Sequence, residues 1–443
     1  MCAKTKTQFL LLATLLLTGL SASAQSMSDD SGPKANKANS PYSRYGMGDM
    51  SDTRHASLRS MGGIGSAYTD YFSVNSFNPA SYSFLKVTTL DFAFEGRSKS
   101  IYMDGVSTNS GTATISYVNV GIPMGKHAGM SFGISPVSNT YYNSNDTLSG
   151  VNGIGKAIVN YNGSGSMQYA YLGLSGKYKG FSLGFNAGYM FGNVRNTSTF
   201  SNNDTTHSRN SEFSKYNGIG GLYWKGGIMY RAQLPKEKYL SIGATLTLSQ
   251  KLNIDRDVYN VAYNYVTNSS GVTELLSDTI TGSGTGFKGK MQLPAEYSFG
   301  IHYGKDFNWS VGADFIYTDW SKFSNFGNRD RIAQNAYRMS VGGEITPNSS
   351  AVKNYFSTVT YRLGAYYGKD NLQFDNTNIT YVGGTVGATF PLKRNYNQFG
   401  RVNTALDIGQ RGTIQNNLAR EFYVKFTLGF SLNDIWFQKR KYD

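Results

Sequence analysis

Hydrophobic and polar residues alternate with a period of two along most of the chain from Thr88 onward. The last such segment carries large apolar side chains on one face, at Phe422, Val424, Phe426, Leu428, Phe430 and Leu432. The segments 181–192 and 239–252 show the same alternation. Successive side chains of a strand point to opposite faces, so this pattern predicts β-strands whose two faces meet different surroundings.

Fourteen segments of this kind follow one another, and most have about ten residues or more, the length that a tilted strand needs to cross a bilayer. They are, approximately, 88–99, 112–122, 129–140, 167–178, 181–192, 216–232, 239–252, 287–304, 309–320, 337–346, 359–367, 379–390, 401–410 and 421–433. Tight connections alternate with long polar stretches, of which 139–166, 193–215 and 253–286 are the clearest. Short inner turns and long surface loops are typical of outer-membrane barrels.

A soluble β-sandwich also has strands with one apolar face, and it is the main alternative. Fourteen strands would make an unusually large sandwich, and no apolar run beyond residue 24 has the length of a membrane-spanning helix. A closed barrel pairs every backbone group within the bilayer. We therefore predict an all-β protein whose residues 88–433 form a transmembrane antiparallel barrel of about fourteen strands.

The first 24 residues are typical of a cleaved secretory signal peptide. Lys4 and Lys6 precede an apolar run, and Ala22-Ser23-Ala24 provides a small-residue cleavage site. Residues 25–45 are mostly polar and are predicted to form a flexible tail, and residues 434–443 extend beyond the last strand. The only cysteine is Cys2, so a disulfide framework is excluded. An exported barrel of this kind predicts the outer membrane of a Gram-negative bacterium.

The residues that carry enzyme chemistry are not grouped in this sequence. The four histidines are far apart, which disfavours a metal site, and no nucleophile, phosphate-loop or cofactor motif is present. The formal net charge is +14, but the basic residues are dispersed and form no stripe that would favour nucleic acid. We expect no enzyme activity and no cofactor, and lipopolysaccharide phosphates or other outer-membrane lipids as the counter-charge.

Four short motifs, in order along the chain, resemble the FadL/TodX family of outer-membrane channels for hydrophobic compounds. Before the first strand, Gly62, Gly63 and Gly65 lie in a glycine-rich stretch and Asn78-Pro79-Ala80 follows. In the barrel, Leu293-Pro294 resembles the Leu-Pro start of a family strand. Asp319-Trp320-Ser321 is similar to an Asp-Trp-Ser strand end, and Arg362 lies in a strand that resembles the family's next one.

The resemblance implies a barrel closed by an N-terminal hatch, here 46–87, with the ligand path running through the lumen. Asn78, Pro79 and Ala80 are the implied gate, and Gly62, Gly63 and Gly65 the implied source of backbone freedom. In relatives the ligand leaves sideways where the third strand kinks inward. Gly133 and Pro136 of the third strand are the candidate lateral opening, although Pro136 is equally compatible with the point where the strand leaves the membrane.

Passive uptake of long-chain fatty acids or other hydrophobic compounds is the leading functional hypothesis. The alternative is a barrel without transport that serves as a structural subunit of an outer-membrane assembly, insertion or export complex, with other outer-membrane proteins as partners. An apolar lumen pocket would favour transport. A filled lumen, together with an apolar outer belt broken by polar residues, would favour the subunit.

Overall fold

The computed structural model describes residues 40–151, 155–202, 209–267, 273–329, 332–393 and 398–435. The predicted signal peptide 1–24 lies outside the described residues, as do most of the predicted tail 25–45 and nearly all of the predicted extension 434–443.

Strands make up most of the described chain. They are β1 (Asp49–Met50), β2 (Thr88–Met103), β3 (Val106–Met124), β4 (Ala128–Val151), β5 (Gly155–Tyr178), β6 (Phe181–Asn202), β7 (Asn210–Leu234), β8 (Lys238–Thr247), β9 (Lys251–Thr267), β10 (Thr273–Thr279), β11 (Gly284–Gln292), β12 (Ala295–Lys305), β13 (Trp309–Asp319), β14 (Ser324–Asn325), β15 (Asn328–Arg329), β16 (Ala336–Ile345), β17 (Thr360–Phe374), β18 (Thr377–Pro391), β19 (Phe399–Gly412) and β20 (Arg420–Asp434).

The helical elements are short. One α-helix, α1, spans Ala56–Arg59, and 3-10 turns span Pro41–Arg44, Pro79–Phe84, Trp320–Lys322, Tyr355–Thr358 and Gln415–Asn417. Within the described ranges, no helix has the length and apolar character needed to cross a membrane.

The long strands form a closed antiparallel barrel with fourteen wall strands, which confirms the predicted fold class. β8 and β9 together make one wall strand, and β11 and β12 make the next. The barrel closes where β2 pairs with β20 over fifteen residue pairs, from Thr88↔Asp434 to Tyr102↔Arg420. The first and last wall strands are therefore neighbours.

Large apolar side chains on alternate positions face outward, as the sequence pattern predicts. On β6, Phe181, Leu183 and Phe185 are each at least 49% exposed, whereas the intervening Ser182 and Asn186 are at most 2% exposed. An apolar outer face with polar residues inside is the arrangement of a barrel that lies in lipid.

Several strands are longer than the alternation predicts. β4 runs to Val151 and β5 starts at Gly155. Likewise, β6 ends at Asn202 and β7 starts at Asn210. The predicted loops 139–166, 193–215 and 253–286 are therefore wrong, since most of their residues pair as strands. Polar residues occur on both faces of these extensions, which removes the period-two signal while the backbone pairing continues.

β3 and β4 pair along only part of their length. Their ladder has seven residue pairs, from Val118↔Ile134 to Met124↔Ala128. Beyond Ile134, β4 instead pairs with β1 through Ser138 and Asn139. A gap in the wall therefore opens between β3 and β4, and the short strand β1 occupies its β4 side.

Candidate functional site

Residues 40–87, called the inner segment below, are enclosed by the barrel and precede β2. Nearly every residue from Arg54 to Leu85 is buried. Buried backbone and polar groups need hydrogen-bond partners, and the wall supplies many of them. The hatch predicted at 46–87 falls within this segment. Its movement as a gate stays a prediction.

Gly62 and Gly63 form a left-handed turn directly after α1. Their φ angles are 67° and 81°, a region that glycine adopts without strain. A β-carbon at Gly62 would lie 2.7 Å from the carbonyl oxygen of Ala365 and 2.8 Å from that of Val341 on the wall. Gly65 packs against apolar side chains of the inner segment itself. A tight turn and close packing therefore require these predicted glycines.

Wall side chains hold the glycine turn by hydrogen bonds. Thr385 accepts from the backbone N–H of Gly62 at 2.7 Å, and one carboxylate oxygen of Asp314 accepts from Gly65 and Ser66 at 2.7 and 2.8 Å. Sequence reasoning missed Thr385 and Asp314. The only available signal was a polar residue on the inward face of a strand whose outward face is apolar.

Glycines line the wall where the inner segment lies against it. At five of them, a β-carbon would clash with the main chain of the inner segment: Gly129, Gly184, Gly243, Gly342 and Gly364. They belong to β4, β6, β8, β16 and β17, on different sides of the lumen. Glycine in a strand interior commonly marks the close approach of another backbone. The inner segment therefore fits the wall closely on several sides.

The predicted gate residues Asn78, Pro79 and Ala80 begin a 3-10 turn that contacts the wall. The side-chain amide of Asn78 donates to the carbonyl oxygen of Ser66 at 2.6 Å and to that of Ile228 in β7 at 3.2 Å. Its oxygen accepts from the N–H of Ala80 at 3.0 Å, which caps the turn. Asn78 therefore joins two parts of the inner segment to each other and to the barrel.

Buried ion pairs fasten the inner segment to one side of the wall. Arg59 lies 2.5 Å from Glu95 on β2, and Asp49 lies 2.7 Å from Lys99 and 2.6 Å from Arg411. All five side chains are at least 85% buried. Sequence reasoning missed them because each is a single charge and the partners are far apart in the chain.

Serine pairs fasten the segment at three further places. In each pair one hydroxyl belongs to the inner segment and the other to a wall strand, with oxygen–oxygen distances of 3.0, 3.2 and 2.8 Å for Ser66–Ser298, Ser73–Ser431 and Ser83–Ser182. These hydroxyls satisfy each other in the interior, where an unpaired hydroxyl is costly.

Two titratable groups near α1 have shifted pKa values. Burial lowers the pKa of His55 to about 3, against the opposing effect of Asp70 and with the help of Arg362. Within the described residues, neither ring nitrogen of His55 has a hydrogen-bond partner. Burial alone would raise the pKa of Asp52, but the guanidinium groups of Arg54 and Arg59 hold it well below its usual range.

A cavity of about 390 Å³ lies between the inner segment and the wall. One side is lined mainly by apolar and aromatic side chains, namely Met47, Tyr169, Tyr171, Met190, Leu293 and Ile316. The other side is charged and is lined by Arg97, Lys99, Asp407, Arg411, Glu421 and Lys425. The cavity therefore presents two chemically different surfaces.

Gly133 and Pro136 lie where β3 and β4 separate. Gly133 pairs with Asn119 next to the last pair of the β3–β4 ladder, and Pro136 lies two residues beyond that last pair. A register shift between Pro136 and Ser138 interrupts the ladder with β5. A proline, which has no N–H to donate, fits such a position. Passage of a ligand at this point stays a prediction.

The Leu-Pro and Asp-Trp-Ser motifs lie at strand ends, as the resemblance implies. Leu293 and Pro294 separate β11 from β12, and β13 ends at Asp319, whose carboxylate accepts a 2.5 Å hydrogen bond from Ser321. Leu293 and Trp320 are 3% and 4% exposed and pack in the same interior cluster. Trp320 therefore belongs to the interior of the barrel.

Arg362 faces the lumen from β17. Its Nε donates to Glu344 at 2.9 Å, and its terminal nitrogen donates to the hydroxyl of Thr389. Glu344 also lies 3.4 Å from the hydroxyl of Tyr68 in the inner segment. Arg362 thus positions a carboxylate that contacts the enclosed chain.

This arrangement, fourteen wall strands around an enclosed N-terminal segment, is the fold of outer-membrane transporters for hydrophobic compounds. The toluene transporter TbuX of Ralstonia pickettii is similar with a TM-score of 0.55 and 14% identity, covering 86% of this chain and 98% of TbuX. The Pseudomonas putida toluene transporter TodX gives 0.56 and 15%, covering 87% and 99%. A FadL homologue of Pseudomonas aeruginosa gives 0.56 and 13%, covering 89% and 100%.

At these identities the likeness shows the fold, and the predicted resemblance to FadL/TodX is confirmed at that level. The chain itself belongs to the BamG family, whose model matches residues 10–443. No curated protein matches the sequence.

Proposed function

We propose that the protein is a structural barrel subunit of an outer-membrane complex and that its lumen stays closed. The observation that carries the proposal is the fit of the inner segment to the wall. Five wall glycines admit its main chain, and buried ion pairs and serine pairs hold it on several sides. An inner segment held in this way serves as the packed core of the barrel.

Opening the lumen would have to break several of these contacts together. Moving α1 separates Arg59 from Glu95, and moving β1 separates Asp49 from Lys99 and Arg411. Removing one partner from a buried ion pair typically costs about 3–5 kcal/mol. Because the pairs lie on one connected segment, their costs oppose the same movement.

The charged side of the cavity also favours a closed lumen. Binding sites for apolar compounds are lined predominantly by apolar side chains with few polar groups. Here one side is lined by charged residues, among them Lys99, Arg411 and Glu421, and a hydrocarbon against them would exclude water from these charges. The proposed subunit function does not require a ligand in this cavity.

Transport of long-chain fatty acids or other hydrophobic compounds across the outer membrane is the second candidate. Its support is the shared fold, the apolar side of the cavity and the gap beside Gly133 and Pro136. If the protein transports such a compound, the ligand enters from the surface loops, passes the gate at Asn78–Ala80 and leaves through the gap between β3 and β4.

An engineered disulfide between the inner segment and the wall separates the two functions. Ser66 and Ser298 have hydroxyl oxygens 3.0 Å apart, and the natural chain has a single cysteine, Cys2. We expect the double variant S66C/S298C, once oxidised, to support assembly of its complex as well as the reduced form does. The measurement is native mass spectrometry of protein extracted from its own outer membrane, alongside uptake of labelled fatty acid.

The single variants S66C and S298C control for the loss of each serine. Uptake that stops on oxidation of the double variant and returns with reductant would contradict the closed-lumen proposal. A monomer that carries a discrete apolar ligand would contradict it as well. Pro79→Gly tests the gate separately: the transport candidate requires altered uptake at equal surface level, and unchanged uptake overturns the gate.

A further inference from the structure

The apolar outer belt is interrupted beside the seam that closes the barrel. In two rows of paired residues, β19 and β20 present large apolar side chains, and β2 and β3 present small or polar ones. The rows are Leu406↔Phe426↔Gly96↔Ala113 and Ile408↔Val424↔Ser98↔Gly111. Phe426 and Ile408 are 48% and 43% exposed, so these rows lie at the height of the lipid-facing belt.

Contacts within the described chain do not account for the glycines of these rows. A β-carbon at Gly96 would meet no atom within 4 Å, and one at Gly111 would meet only the carbonyl oxygen of Arg97 at 3.8 Å. Neither glycine has a positive φ. The inward wall glycines are explained by the inner segment, whereas these two face outward into free space.

The same place has an open strand edge. From Gly111 to Tyr117, β3 pairs with β2 on one side, and among the described residues no strand pairs with its other side. Facing it across the gap, β4 is already paired with β1 at Ser138 and Asn139. Unpaired backbone groups at membrane depth are costly, and lipid cannot hydrogen-bond them.

We infer that the patch formed by Gly96, Ser98, Gly111 and Ala113, together with the edge of β3 from Gly111 to Tyr117, binds an extended segment of a partner outer-membrane protein. The segment adds to β3 as a further strand. This inference rests on the proposed subunit function and names the surface through which the subunit is held.

The structure gives two reasons for a strand as the occupant. β1 shows that an extended chain fits this gap, because it has already added to the β4 side of it. Small residues beside the edge allow another backbone to approach closely, as they do at contacts between transmembrane helices. Strand addition satisfies the backbone of β3 through main-chain hydrogen bonds and gains specificity from neighbouring side chains.

A matched pair of tryptophan variants tests the surface. Gly96→Trp places a bulky side chain in the patch, and Gly384→Trp does the same on β18, where Gly384 pairs with the outward-facing Ile408 and a β-carbon also meets no atom within 4 Å. We expect both barrels to fold, as judged by heat-modifiable gel mobility. In native mass spectrometry, the amount of partner recovered with Gly96→Trp should be at least about tenfold lower than with the wild type. This corresponds to a loss of about 1.4 kcal/mol in binding free energy. Equal recovery from both variants would overturn the inference.

Amide hydrogen exchange tests strand addition directly. We expect residues 111–117 to exchange at least about tenfold more slowly in the native complex than in the isolated barrel. Equal exchange in an intact complex overturns the inference but leaves the proposed function standing. Absence of any complex, with uptake abolished by the oxidised S66C/S298C pair, overturns the proposed function itself. A photo-crosslinker at Ala113 that captures only lipid also counts against strand addition.

Discussion

The two sides of the lumen hold the same inner segment by different means. On the side of β2, β19 and β20, buried charges pair with one another and with the segment, as Arg59 does with Glu95. On the side of β5, β6 and β9, apolar side chains such as Met190 and Leu252 pack together with Met47 of the segment. Ion pairs depend on geometry and protonation, whereas apolar packing depends on volume. The same segment is therefore held by buried ion pairs on one side of the lumen and by apolar packing on the other.

The largest effect should come from leaving buried charge unpaired on the charged side. Glu95→Ala removes the carboxylate that Arg59 and Arg97 share, and it should destabilise docking of the inner segment by about 3–5 kcal/mol. Protection of the segment from trypsin, measured against urea concentration, checks this. Glu95→Gln keeps hydrogen-bonding capacity and should cost less. Wild-type protection of Glu95→Ala would refute the role given to this pair.

A slightly smaller effect is expected on the apolar side. Leu252 is fully buried in the interior cluster, so Leu252→Ala should cost about 2–4 kcal/mol through lost packing and a cavity. The same urea series measures it. Leu222→Ala is the matched control, because Leu222 is 76% exposed on the outer face. Equal costs for the two variants would show that Leu252 does not pack as described.

Acid should weaken the docking of the inner segment through His55. Its pKa is lowered from 6.5 to about 3 by burial, so the opened state binds the proton more readily between these values. The contribution of His55 to stability is therefore full above about pH 6.5 and falls as pH falls toward 3, by about 1.4 kcal/mol per unit at most. Trypsin sensitivity at pH 7 and pH 5 checks this. His55→Leu should reduce the slope of this pH profile and His127→Leu should not; an unchanged slope in His55→Leu would rule out His55 as a source of it.

The smallest effect is expected where charge is exposed. Lys288 and Asp255 lie 2.5 Å apart, but their side chains are 78% and 61% exposed. Solvent and salt screen such a pair, so Lys288→Ala should change stability by about 1 kcal/mol or less. Thermal unfolding in mild detergent measures it. A loss comparable with that of Glu95→Ala would mean that burial is not what gives the lumen pairs their strength.

The sequence predicts the wall strands well and the contacts of the inner segment poorly. Alternation identifies strands such as 421–433 because lipid outside and polar residues inside give the two faces different compositions. The extension of β4 to Val151 has polar residues on both faces and leaves no such pattern. Strand number is therefore predictable, and strand length above the belt is not.

The residues of the candidate site also differ in whether the sequence reveals them. Gly62 and Asn78 are found because they lie within short motifs that resemble a family. Glu95, Asp314 and Arg411 contact the inner segment from positions more than thirty residues away in the chain, and nothing local distinguishes them from other polar residues. Inward glycines such as Gly342 are a usable signal, since a glycine on the polar face of a strand marks a close approach.

The seam between β2 and β20 has a consequence for how the protein is made. The inner segment precedes β2, yet it is enclosed only when the last strand of the chain pairs with the first wall strand. Closure of the barrel therefore requires contacts between residues that are more than 300 positions apart, and contacts of such long range form slowly. Until these contacts form, the edges of β2 and β20 both carry unpaired backbone groups, which are sites for mispairing with other strands.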